Sequence, residues 1–153
     1  MKKSIIISFA VVQLAAICAL ISCNSAQKTH SADATQFLKQ FYTAYIAAGA
    51  EIPDGDGLKK QDSLYRLFCT ARMKKQQSNP NIDWDLILDA QTCDSTWART
   101  LNVNKSDTEG LYTVNYKWMN NYDTPPGLKT VSIRLLVIDE NGTYKIDSVI
   151  SKP

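Results

Sequence analysis

The chain has 153 residues, of which 44% are hydrophobic and 21% charged. That composition supports one packed domain and excludes a disordered chain or a many-spanning membrane protein. Its 17 basic residues exceed the 15 acidic ones only through Lys2 and Lys3, so the rest of the chain is formally neutral and bulk charge gives no reason to expect a nucleic-acid partner.

In chain order, Lys2 and Lys3 precede an apolar run from Ile5 to Ile21 that is broken only by Ser8 and Gln13, the pattern of a secretory signal peptide. The run closes on Leu20-Ile21-Ser22-Cys23, which resembles the lipobox of bacterial lipoprotein precursors. The resemblance implies that residues 1–22 are removed and that Cys23 carries diacylglycerol, often with a further acyl chain on the new amino group. At ~0.8 kcal/mol per buried methylene, two or three chains hold a protein durably at a membrane. An uncleaved spanning anchor is the alternative, because the run approaches the ~20 apolar residues of a membrane helix. Cys18 follows Ile17, which the lipobox does not tolerate. Asn24 stands where an inner-membrane retention signal has Asp, and no acidic cluster follows, so the resemblance points to the outer membrane of a Gram-negative bacterium with the domain facing the periplasm. Residues 23–32 form the expected lipidated tether; the polar stretch 24–31 reaches at most ~28 Å when extended. Residues 33–153 form the expected single domain.

Asp33 and Gln36 are spaced as a capping box. The following Phe37, Leu38, Phe41, Tyr42, Tyr45 and Ile46 recur at helical spacing, predicting a helix to about Ala48 that Gly49 ends. A turn-rich loop, Glu51 to Gly57, precedes a second predicted helix from about Leu58 to Gln77. With Cys18 removed and Cys23 acylated, Cys69 and Cys93 are left in the body. An oxidising compartment would let them pair, worth ~3 kcal/mol in the chain-entropy account; two separately buried thiols are the alternative. The single histidine, His30, falls in the tether, so Ser-His and Cys-His activation is denied to the domain.

Beyond Pro80 the period changes to two. Trp97, Arg99, Leu101 and Val103 alternate with Ala98, Thr100 and Asn102, predicting a strand. Tyr112, Val114, Tyr116 and Trp118 share one face of the next strand, with Thr113, Asn115 and Lys117 on the other. After the break at Asp123 to Gly127, Val131, Ile133, Leu135 and Val137 face one way, and Asn141-Gly142 is a two-residue hairpin signal. Folding about it sets Val137 opposite Ile146 and Ile133 opposite Ile150.

Two helices followed by a meander predict an α+β domain, helices on one face of a curved antiparallel sheet of about four strands. This order, with the segment Asp83-Trp84-Asp85-Leu86-Ile87-Leu88-Asp89-Ala90-Gln91, resembles an uncharacterised family of small bacterial lipoproteins with a nuclear-transport-factor-2-like (cystatin-like) cone, over about residues 33–150. The resemblance brings no catalytic residues.

Asp54-Gly55-Asp56-Gly57 is better explained as a turn than as a calcium loop, because Ile52 stands where the first acidic ligand belongs. Asp83, Asp85 and Asp89 are assigned to caps and turns, with no metal or cofactor expected. Asn141-Gly142-Thr143 fits an N-glycosylation pattern, and Asp62-Ser63-Leu64, Asp94-Ser95-Thr96 and Asp147-Ser148-Val149 fit a short O-glycosylation motif of some bacterial envelopes. The leading functional expectation is a membrane-anchored, non-catalytic binding module for another cell-envelope protein. One alternative is a carrier of a small apolar ligand in the sheet's cone, lined by Tyr42, Tyr45, Tyr112, Tyr116 and Trp118. The other is an acid-base enzyme, which requires a buried Asp within hydrogen-bonding distance of a Tyr.

Overall fold

The computed structural model describes residues 34–51, 56–121 and 124–150. The expected signal peptide, Cys23, the tether and the Asp33 cap lie outside them, as does most of the loop around Asp54. Helix α1, Ala34–Ala50, buries Leu38, Phe41, Tyr42, Tyr45, Ile46 and Ala48, the one-faced spacing read from the sequence. Gly49 does not stop it. A Cβ there would stand 3.0 Å from Cys93 Cβ and Sγ and 2.5 Å from the Gln61 amide, so the glycine lets Cys93 and Gln61 pack closely on the end of the helix.

The expected second helix is two helices, α2 at Asp56–Phe68 and α3 at Ala71–Gln77. Cys69 leaves the helix to make a parallel bridge with Ile146, and the Thr70 N–H donates to the Ile146 carbonyl at 3.0 Å. Thr70 then caps α3, its hydroxyl accepting from the Met73 N–H at 3.2 Å. No glycine or proline announces this break; a threonine inside an apolar-periodic run is a weak cap signal until a strand arrives to engage its backbone.

The chain from Ser78 to Asp94 is irregular. It enters a 3₁₀ helix, Ser95–Thr100, where a strand was expected; strand β1 is only Asn102–Lys105. The Asp94 side chain accepts from the Thr96 N–H at 2.8 Å, and this cap turns the segment inward so that Trp97 is buried. The apparent alternation from Trp97 to Val103 therefore spans two different elements.

Strands β2 (Leu111–Asn120), β3 (Gly127–Glu140) and β4 (Thr143–Ile150) complete an antiparallel meander in the order β1-β2-β3-β4. The domain is thus α+β. Tyr112, Val114 and Tyr116 are buried on β2 and Lys117 is exposed, as the alternation requires. Asn141 and Gly142 both have positive φ, 57° and 84°, which a tight hairpin demands. Val137 pairs with Ile146, but Ile150 pairs with Arg134 and not Ile133, because the register shifts by one between Leu136 and Val137. The shift leaves Asp147 without a partner in the ladder and turns it inward beside Ile146 and Ser148. There its carboxylate accepts from the Thr70 hydroxyl at 2.9 Å and from Arg72 at 3.1 Å. The bulge is the clasp that joins β4 to α3. Gln76 extends it: its amide donates to the Val149 carbonyl at 2.7 Å and accepts from the Val149 N–H at 3.0 Å, covering that sheet edge.

Candidate functional site

The irregular segment is held by a dense set of hydrogen bonds. Asp85 and Ala90 exchange two backbone hydrogen bonds, 2.9 and 3.3 Å, closing a small loop. One Asp85 carboxylate oxygen accepts from the Ile87 and Leu88 N–H groups at 2.7 and 3.2 Å, and the other from the Tyr45 hydroxyl at 2.7 Å. Leu86, Ile87 and Leu88 are buried and plug the core. Two more tyrosines hold the loop: Tyr42 donates to the Ile87 carbonyl at 2.8 Å, and Tyr116 donates to the Leu88 carbonyl. Gln77 donates to the Trp84 carbonyl and accepts from the Leu86 N–H, both at 2.8 Å.

Burial, then the nearby Asp85 charge, drives the Tyr45 hydroxyl far above its ordinary value. Burial likewise raises the Asp85 carboxyl, and its three hydrogen bonds offset this only in part. The Asp/Tyr distance that an acid-base enzyme requires is met. The pair's polar atoms are nevertheless spent within the fold, one carboxylate oxygen on the loop amides and the other on the Tyr45 hydroxyl, which makes it a strap.

The five residues expected to line a cone cavity separate into two sets. Tyr42, Tyr45 and Tyr112 are buried in the packed core among Leu38, Ile46 and Ile87. Tyr116 and Trp118 do line a cavity, an open groove of about 480 Å³ whose other walls are Trp84, Asp89, Ala90, Gln91, Thr92, Trp97 and Val131. The chain has three tryptophans, and all three meet here. Trp97 stacks on Tyr116 with ring centroids 4.8 Å apart and forms the floor. Trp84, 36% exposed, and the half-buried Trp118 stand nearer the surface. Asp89 is held at a positive φ of 48° on the strapped loop, and its charge contributes, after burial, to raising the Tyr116 hydroxyl.

The groove drew no expectation for Trp84, Trp97, Asp89, Gln91 and Thr92. The available signal was the concentration of tryptophan and aspartate between Asp83 and Trp97 in a stretch without regular periodicity; what was missing was the placement of that stretch against β2.

Cys69 and Cys93 are free thiols, so the expected disulfide is absent. Cys69 is buried at the α2–α3 junction against β4, whereas Cys93 sits behind the last turn of α1, its thiol donating to the Ile46 carbonyl at 3.3 Å. Burial pushes the first up to about 12 and the second up to about 11. Cys93 and Asp85 also border a second hollow, of about 340 Å³, which shares Ala90, Gln91 and Thr92 with the tryptophan groove.

The glycosylation patterns also resolve differently. Ser148 is buried and Asp94-Ser95-Thr96 is the cap of the 3₁₀ helix, while the Ser63 hydroxyl donates to the Lys59 carbonyl on an exposed face.

No protein-family model and no curated protein matches this chain. It is similar to a protein of unknown function from Bacteroides thetaiotaomicron, whose crystal structure was solved at 2.10 Å. The TM-score is 0.67 and the identity 26%, covering 77% of this chain and 88% of that one. Among the described residues no helix is long and apolar enough to cross a membrane.

Proposed function

We propose that this chain is the precursor of a lipoprotein anchored through Cys23 to the outer membrane and facing the periplasm. Its domain is a non-catalytic binding module that grips another cell-envelope protein in the tryptophan groove. The observation that carries the binding reading is the convergence of Trp84, Trp97 and Trp118 with Tyr116 on one groove, backed by a loop that is strapped in place before any partner arrives. Tryptophan and tyrosine give large, stiff contact area with polar tips and dominate protein-interface energetics, and a pre-formed site avoids the ordering cost that binding otherwise carries. The anchor rests on the Leu20-Ile21-Ser22-Cys23 spacing. The α+β order and the Asp83 to Gln91 segment support placing the domain with small lipoproteins of nuclear-transport-factor-2-like fold.

The test is a photo-crosslinking residue at the exposed groove position Gln91 in living cells, beside the same residue at the exposed Lys39 of α1. An envelope protein captured from Gln91 and not from Lys39, and lost on Cys23→Ser, is the expected result. Equal capture from both positions, or none, defeats the groove as the binding surface. If Cys23→Ser still takes up an acyl label and stays in the membrane fraction, the anchor is wrong.

A further inference from the structure

We propose that the tryptophan groove seats an arginine side chain of the partner protein, its guanidinium lying on an indole face and paired with the Asp89 carboxylate. This rests on the partner-binding reading above and assigns the chemistry that the groove selects. Three observations carry it. First, the walls combine tryptophan side chains with a carboxylate, and indole is the best neutral seat for a cation. A guanidinium alone among side-chain cations is planar enough to stack on the ring while forking onto a carboxylate. Second, the groove offers acceptors that a guanidinium can use: the Asp89 carboxylate and the side-chain carbonyl of Gln91, whose amide gives one N–H to Asp83 at 3.3 Å. A guanidinium carries donors and no acceptor.

Third, the local charge is acidic. From Ser78 to Ala98 there is no lysine or arginine, while Asp83, Asp85, Asp89 and Asp94 fall in that stretch. Asp85 is strapped inside by Tyr45, and Asp94 is met by its own cap and by the nearby Arg99, which leaves Asp89 as the carboxylate in the groove wall, with the exposed Asp83 bonded to Gln91 beside it. Across the β2–β3 register Trp118 faces Lys129, so the acidic end of the groove is the one formed by the strapped loop with Asp89.

The three indole N–H signals of the ¹⁵N-labelled mature protein report the groove directly. Titration with N-acetyl-arginine methylamide is expected to shift the Trp84 and Trp118 signals saturably. The neutral isostere N-acetyl-citrulline methylamide should bind at least about tenfold more weakly, the loss expected when a charge-assisted contact becomes a neutral one. Asp89→Asn should weaken the arginine analogue by about the same factor without unfolding the domain, because asparagine tolerates the positive φ at this position. Equal response to the two analogues, no effect of Asp89→Asn, or a response to methyl glucoside in place of arginine overturns the proposal. If the arginine analogue fails while the Gln91 crosslink still captures an envelope protein, the cation falls and the partner reading stands. Selective arginine binding without capture keeps the cation and removes the partner reading.

Discussion

Three tyrosines that look alike in sequence are used as three different ties. Tyr42 and Tyr116 satisfy carbonyls that the tight loop at Ile87 and Leu88 cannot pair within itself, and Tyr45 satisfies a carboxylate. Their rings read as core in the sequence, correctly, and their hydroxyl partners were illegible because they lie 28 to 45 residues away. The Asp85 pair makes a testable statement about pH. Burial raises the folded-state value of Asp85 above the unfolded one, so the folded protein keeps a proton that the unfolded chain has already released. The stability this group contributes is complete below the ordinary carboxylate value of ~4 and is lost as pH rises through the raised value. Asp85→Asn retains an acceptor for the two loop amides and no longer titrates. Thermal melts should therefore show wild type losing stability relative to Asp85→Asn as the pH is raised from ~4, with the difference levelling once Asp85 is ionised in both states. A difference that stays flat from pH ~4 to ~7 means that Asp85 titrates normally.

Among the elements, the junction of α2 and α3 shows how a strand edits a helix. The stretch from Leu64 to Met73 has unbroken helical periodicity, yet two residues, Cys69 and Thr70, are taken out of the helix to meet β4. Thr70 satisfies two partners at once, the Met73 N–H and the buried Asp147 carboxylate that the β4 bulge turns inward. Thr70→Ala removes the cap and one of the two side chains holding Asp147, at a cost of ~1 to 3 kcal/mol. Thr70→Ser keeps both contacts and should recover most of that. Urea unfolding reads the difference as a fall in midpoint at constant slope. A Thr70→Ala midpoint equal to wild type would show that the clasp contributes nothing. The same bulge explains the one-residue error in the hairpin: the turn was legible from Asn141-Gly142 and the first pairs followed, but an extra residue deeper in the strand has no local signature.

For the molecule as a whole, the free thiols mark how the helices and the sheet close on each other. Neither thiol reacts readily where it stands, since the thiolate is the nucleophile and burial keeps both protonated at neutral pH. Alkylation of the native protein at pH ~8 should be slow at Cys93 and slower at Cys69, with both labelling quickly in denaturant. A linked Cys69–Cys93 peptide in a non-reducing map, or a fast native Cys69, would contradict this packing. Local pattern by itself determined much of the architecture. The face of α1 follows from a 3.6-residue repeat, the face of β2 from a two-residue repeat, and the final hairpin from one dipeptide, because each depends on neighbours within a few positions. The candidate lipidation signal is local in the same sense. Only the tertiary structure decided that the helical run breaks at Cys69, that Trp97 lies in a 3₁₀ turn, and that Trp84, Trp97 and Trp118 meet. Those outcomes are set by strand and helix surfaces far away along the chain, whose shape exists only once the core has packed.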